Sequence, residues 1–423
     1  MKTLIKNGLA YIEGAIVKMD ILIEDTRIAL IDNDITADAD EVIDAAGMHV
    51  FPGFVDIHAH LRDPGQTYKE DIISGTRAAA KGGFTSVCAM PNTEPVVDNI
   101  ATVDYIQRRA RELGFARVFV IGAITKQSAG EEISEMATMK SGGIVAVSDD
   151  GKCVQNAKLM LNCMRYAVNY DLPVIIHAED YHLAGKGQIH SGKIATQIGL
   201  SGIPALAEET IIARDIMLAE SAKARLHIAH ITTAKSLELV RRAKEQGLPV
   251  TCEVTPHHLL LNEEACLSFD TNTKMKPPLR SEKDRLACVE ALKSGLIDCI
   301  ATDHAPHADF EKVREFDHAP FGIIGFETAF PVLYQSLVLP GIIPLERLIE
   351  AMSTAPSKLL RLPESGIRKG NPADLTIVDL NQSSVFAAEN ILSKSKNTPW
   401  LDQTIKSKII YTLLDGTFTF RAE

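Results

Sequence analysis

The sequence predicts an α/β chain, a (β/α)8 barrel with a small β-sandwich domain built from both termini. Three observations carry this. Eight short apolar runs rich in Val and Ile recur through the middle of the chain, amphipathic helical stretches separate them, and both ends read instead as strands and turns.

In chain order, TLIKNGLAYIEG, AIVKMDILIED, RIALIDND and EVIDAAGMHV alternate apolar and polar residues between turn signals, so residues 1–51 read as all-β. RKGNPADLTIVDL and KIIYTLLDGTFTF repeat the pattern at the other end, where Asp415-Gly416 marks a hairpin. Residues 1–51 and 367–423 are therefore expected to form one β-sandwich, and 52–366 the barrel. The barrel strands are FPGFVDIHAH, FTSVCAM, RVFVIGAIT, GIVAVSDD, PVIIHAE, ARLHIAHIT, PVTCEVTPHH and DCIATDHAPH, with helices over 99–113, 156–170, 204–222, 233–246 and 282–294 among those between them. Eight such units over about 300 residues match a TIM-type barrel, whose active site lies at the carboxyl ends of the strands. A doubly wound open sheet is the alternative.

At 423 residues and 46% apolar content the chain can fill one large core and a satellite. Its net charge of −11, with Lys and Arg scattered, offers no footprint for nucleic acid and leaves a small molecule as the expected substrate. Seven cysteines, odd in number and without a CxxC pair, read as reduced core thiols of a cytoplasmic protein. The first apolar run is broken within a few residues, which argues against a signal or transit peptide, and no run approaches the roughly 20 apolar residues of a membrane span. No GxGxxG or GxxxxGK[ST] follows a strand, which removes the usual nucleotide fingerprints.

On the first barrel strand His58 and His60 lie two residues apart, and a strand's period of two points both imidazoles to one side. Alone, such a pair is as well explained by satisfied polar surface as by a metal. Asp150, His177, His230 and Asp303 each follow a further apolar run at a strand's end, so six ligand-type groups can converge. Groups of this kind are costly to bury together unless they coordinate a cation or pair closely. Four imidazoles and two carboxylates suit Zn²⁺, with Mn²⁺ or Co²⁺ as alternatives, and a carboxylate able to bridge implies two ions. Zinc would make hydroxide available near neutral pH and polarise a carbonyl, the equipment of a hydrolase. His227, three residues before His230, and His257 and His258 after a proline are read as structural.

HAHLRDPG at 58–65, AMPNT at 89–93, SDDG at 148–151, TPHH at 255–258, ATDHAPH at 301–307 and APFGIIGFET at 319–328 together resemble the type I dihydroorotases of the amidohydrolase superfamily. GNPADLTIVDL and SKSKNTPW at 393–400 extend the resemblance over nearly the whole chain. It implies reversible cyclisation of N-carbamoyl-L-aspartate to (S)-dihydroorotate with loss of water, in pyrimidine biosynthesis. It also implies that His58, His60 and Asp303 hold one zinc, His177 and His230 the other, and that Asp150, chosen over Asp149, stands between them in place of the carboxylated lysine of many relatives. Asp303 would be the acid and base, and Arg62, Asn92 and His307 would bind the substrate carboxylate, with Phe321 and Gly322 against the ring. Lys276 stands where Asn commonly precedes PPLR, and is assigned to substrate or to none. A homodimer, with association with aspartate transcarbamoylase, is the quaternary expectation. The alternatives are a hydantoinase, dihydropyrimidinase or allantoinase, or a non-catalytic scaffold; residues 306–325 are the candidate lid.

Overall fold

The structure is a computed structural model and describes residues 1–363 and 366–422. All eight expected runs form barrel strands, namely Phe54–Ala59, Phe84–Ala89, Arg117–Gly122, Ala146–Ser148, Val174–Ile176, Leu226–Ile228, Val250–Val254 and Cys299–Ile300. They pair in chain order, each parallel to the next. The ring closes where Ala59 bridges His304 and the His60 amide donates to the His304 carbonyl at 2.9 Å. Asp56 fastens this seam, for its buried carboxylate accepts from the backbone N–H groups of His58 at 3.0 Å and Thr302 at 3.2 Å and from the Thr302 hydroxyl.

The strand runs are apolar throughout because both faces are covered. Val87, Val120, Val147, Val174, Ile228 and Val254 belong to the core shared with the surrounding helices. Val55, Ile57, Cys88, Ile121, Ile175, Ala229 and Cys299 form a separate cluster on the other face. The helices begin where their capping residues stand: Asn99, Asn156, Thr233 and Ser281 each accept a backbone N–H of the first turn, starting Ile100–Leu113, Ala157–Val168, Ala234–Glu245 and Glu282–Ser294. Leu206–Ala222 has no side-chain cap, and Glu208 and Glu209 in its first turn complement the helix dipole instead.

The two terminal regions share one eight-stranded sheet, in which Lys2–Ile12 pairs with Ala15–Glu24, Glu41–Asp44 and His49–Pro52, and the last of these pairs with Leu375–Val385. Ile5, Ile21, Ile28, Val50, Leu375 and Leu413, drawn from strands along most of that order, meet in one cluster, so the sheet folds over on itself. It is joined to the barrel by a stack of aromatic rings, with Phe330 5.9 Å from Phe51 and 5.2 Å from Phe54, and Phe54 5.7 Å from Phe84. The seven cysteines are buried and unbonded to one another. Among the described residues no helix is long and apolar enough to cross a membrane.

Because Asp56 satisfies three buried donors across the seam, Asp56→Ala should lower stability by about 3 kcal/mol. The expected result is a reduced urea midpoint with an unchanged slope.

Candidate metal centre

Every strand of the barrel ends at the same mouth, and the polar residues expected there are found there. His58 lies within the first strand and His60 just beyond it; Asp150, His177, His230 and Asp303 follow the fourth, fifth, sixth and eighth. All except Asp303 are buried. Arg62, His230 and Asp303 have φ of 57°, 33° and 49°, a left-handed conformation that costs a non-glycine residue on the order of 1–3 kcal/mol. That three residues of one site share it is evidence that their side chains are held where the backbone alone would not put them.

The SDDG ambiguity resolves by direction. Asp149 turns outward to the third strand's loop, accepting from the backbone N–H groups of Ile124 at 2.8 Å and Thr125 at 3.1 Å and from the Thr125 hydroxyl. Asp150 turns inward, its oxygens 3.2 Å from His58 Nε2, 3.5 Å from His60 Nε2 and 3.8 Å from both His177 Nδ1 and His230 Nε2. Asp303 lies 3.0 Å from His60 Nε2 and 3.5 Å from His58 Nε2.

The hydrogen bonds behind these rings define what they present. His58 Nδ1 donates to Glu253 at 2.6 Å, and His60 Nδ1 donates to Asn92 Oδ1 at 2.8 Å. A neutral imidazole that donates through Nδ1 carries a lone pair on Nε2. Both Nε2 lone pairs therefore face carboxylate oxygens, which only a second proton or a cation between them can stabilise. His177 Nδ1 and His230 Nε2 likewise meet at 3.0 Å, and His58 Nε2 and Asp150 Oδ1 are buried without a hydrogen-bond partner. His58, His60 and Asp150 bring ligand atoms within 4.8 Å of one another, as do Asp150, His177 and His230, and also His58, His230 and Asp303. The donor set fits a divalent metal, and Asp150 belongs to two of the three groups.

Electrostatics agree. Burial works against charge on His58, yet Asp150, Glu253 and Asp303 outweigh it and raise its pKa well above the usual imidazole value. Burial likewise opposes the charges of Asp150 and Asp303, but the imidazoles around them, His58 foremost, hold both well below the usual carboxylate range. The site thus demands positive charge in its centre. His177 is pushed down to about 3 by burial and by His230, so protons on that side are poorly held and a metal meets free nitrogen lone pairs.

Arg62 is buried, and its Nε donates to the Pro306 carbonyl at 3.2 Å; no ion pair engages its guanidinium among the described residues. A surface salt bridge is thereby excluded. Asn92 serves the cage directly, holding His60 and reaching Asp150 at 3.4 Å through Nδ2. His307 donates through Nε2 to the Phe321 carbonyl at 2.8 Å, leaving its buried Nδ1 without a partner. Gly322 has φ of 107° and lies against Ala305, where an added Cβ would meet the alanine methyl at 2.7 Å. The Lys276 ammonium is 2.9 Å from Glu179 and 5.4 Å from the centre of the Phe321 ring, so its charge is already paired inside the mouth.

Of the three histidines read as structural, His258 is one, bonded to Thr255 at 2.7 Å and the Pro277 carbonyl at 2.9 Å. His227 binds Glu253 at 3.1 Å and Thr251 at 2.9 Å, and so holds the carboxylate that holds His58. His257 is buried and pushed down to about 4, by burial first, with Asp303, His230 and His58 near enough to feel its charge. Sequence reasoning passed over Glu253. A glutamate in the middle of the buried strand PVTCEV was the available signal, since such a charge needs a partner.

His58 and His227 hold Glu253 down to about 2 against the effect of burial, so it is an anion fixing the His58 tautomer. Glu253→Gln should weaken retention of a divalent metal about ten- to a hundredfold with the fold intact, read by metal analysis after dialysis against graded chelator.

The dihydro-orotase-like family profile matches residues 47–236. A dihydroorotase of Acetivibrio thermocellus is 48% identical, the match covering 95% of each chain, and one of Syntrophotalea carbinolica is 48% identical over 100% of this chain and 99% of its own. Among solved structures, an L-hydantoinase (dihydropyrimidinase) from Arthrobacter aurescens superposes with a TM-score of 0.90 at 24% identity, covering 99% of this chain and 96% of that one. A dihydropyrimidinase from Brevibacillus agri gives 0.87 at 24% identity, over 100% and 95%. These two share the fold. With near-complete coverage at close to half identity, the chain belongs to the dihydroorotase family of amidohydrolases.

Proposed function

We propose that this protein is a zinc-dependent dihydroorotase that interconverts N-carbamoyl-L-aspartate and (S)-dihydroorotate. The observation that carries the reading is Arg62, a buried guanidinium with no ion pair beside the cage of imidazoles and carboxylates. A buried cation without an ion pair is costly, and a substrate carboxylate offsets that cost. Dihydroorotate has such a carboxylate; hydantoin and dihydrouracil do not. The 48% identity to dihydroorotases supports the same choice.

In this reading His58, His60 and Asp303 would hold one Zn²⁺ and His177 and His230 a second, with Asp150, which reaches both groups of imidazoles, available to either. When bound, the ions lower the pKa of water and polarise the amide carbonyl. In ring opening, water adds to that carbonyl carbon, and Asp303 takes the water's proton and delivers it to the ring nitrogen as the C–N bond breaks. Cyclisation runs the same transfers backward and releases water. Arg62 and Asn92 orient the carboxylate, with Phe321 and Gly322 against the ring; His307, whose Nε2 proton goes to the Phe321 carbonyl, presents its Nδ1 lone pair as an acceptor beside them. Lys276, paired to Glu179, shapes the mouth on the fifth-strand side. A non-catalytic scaffold would have no use for six donors arranged in overlapping groups of three, each group's ligand atoms within 4.8 Å of one another. The family reading also extends to a cytoplasmic location, a homodimer and association with aspartate transcarbamoylase; light scattering on the protein alone and with that partner would test the two associations.

The protein loaded with zinc should consume dihydroorotate and leave hydantoin and dihydrouracil untouched, and comparable turnover of either would overturn the assignment. Asp303→Asn should lower kcat by about 10²–10⁴-fold, and a folded variant that keeps its rate removes the acid and base role. Arg62→Met should raise KM for dihydroorotate by about a hundredfold, the cost of a lost charged hydrogen-bonded pair, in steady-state kinetics.

A further inference from the structure

The metal ligands sit on or next to strands, but the groups assigned to substrate sit on loops, and the segment 393–397 runs between those loops. Ser393 Oγ donates to Glu70, Ser395 Oγ donates to the Lys69 carbonyl at 2.7 Å, and the Lys394 ammonium donates to the Thr67 carbonyl at 2.8 Å. These ties hold the loop that follows Arg62. Asn397 holds the other two. Its Oδ1 accepts from the His307 backbone N–H at 3.1 Å, and its Nδ2 donates to the carbonyls of Ala305 at 3.0 Å and Gly322 at 3.2 Å. Its own carbonyl accepts from the Ile324 N–H at 3.0 Å.

One buried amide, 4% exposed, thus spends both donors and its acceptor on two substrate-facing loops. The far side of the second loop is equally fixed. Buried Lys274 donates to the carbonyls of Phe316 at 2.6 Å and Ala319 at 2.7 Å, and buried Lys312 to those of Pro320 at 3.0 Å and Gly322 at 3.1 Å. Residues 316–322 are therefore a clamped wall of the site. Asn397 binds this wall and the His307 loop together, beside the direct ties from the Ala305 N–H to the Ile323 carbonyl at 2.7 Å and from His307 Nε2 to the Phe321 carbonyl at 2.8 Å.

We infer that Asn397 is a positioning residue: with those direct ties it fixes the separation of His307 from Phe321 and Gly322, and through it the fit of the substrate, without touching substrate itself. The inference rests on the dihydroorotase reading of those three residues. Loss of the amide leaves the cage intact, since no atom of Asn397 reaches a proposed ligand, so the effect falls on binding. A staple that served only folding would instead move stability, rate and metal content together.

The test compares zinc-loaded full-length Asn397→Ala and Asn397→Asp with the parent in steady-state kinetics on dihydroorotate, metal analysis, thermal melting and amide hydrogen exchange. Expected are a KM raised tenfold or more, kcat within threefold, and unchanged metal content in both variants. The His307 amide should exchange faster in Asn397→Ala and keep its protection in Asn397→Asp, which retains the acceptor but loses both donors. A KM within twofold of the parent in either folded variant overturns the proposal, as does a fall of kcat together with metal loss. Failure of both variants to fold also overturns it, because the amide is then an element of the fold. If the parent itself does not turn over dihydroorotate, the functional reading fails. The positioning claim then stands or falls on exchange alone, and unchanged protection across 305–307 and 320–324 in Asn397→Ala defeats it.

Discussion

Three carboxylates, the buried Asp150 and Glu253 and the partly buried Asp303, face four imidazoles at one end of the barrel, and the charge balance of that cluster constrains everything around it. Anions at this separation in a low-dielectric interior repel strongly unless cations lie among them. Glu253 and Asn92 take up the Nδ1 protons of His58 and His60, which commits the remaining lone pairs to the centre and makes the centre a place for a cation. The left-handed backbone at Arg62, His230 and Asp303 is tolerable only because the closed barrel holds the chain on either side.

The site divides into two halves with different supports. The metal half is carried by strands whose positions are fixed by eight parallel pairings and by the Asp56 seam, so it is rigid for the same reason the barrel is closed. The substrate half rests on the loops that follow the first and eighth strands, and their positions come from outside the barrel. Glu70, Lys274, Lys312 and Asn397 are polar groups buried among backbone carbonyls and amides, and each supplies hydrogen bonds that the loops cannot make for themselves.

Legibility in the sequence follows the same division. His58 and His60 could be read because a strand's period of two puts them on one side, and the strand-end positions of His177, His230 and Asp303 followed from the apolar runs before them. Glu253 was hidden by its surroundings, one acid in an apolar strand whose partners, His58 and His227, come from other strands. His257 looked like a neighbour of His258, yet the two rings have different tasks, because the short helix Pro256–Leu260 turns one to Thr255 and leaves the other toward the cage.

The sequence by itself determined the barrel, the terminal strands, and which imidazoles and carboxylates gather at the barrel mouth, because periodicity is local and each strand announces its own end. The family resemblance chose Asp150 over Asp149, and the tertiary structure supplied the physical reason, since the two adjacent residues point in opposite directions and only Asp150 turns toward the imidazoles. The tertiary structure alone showed that Arg62 is buried and unpaired, and that Asn397, 90 residues from His307 along the chain, joins the two substrate loops. Contacts of that range depend on how the chain closes on itself, and no spacing within a segment records them.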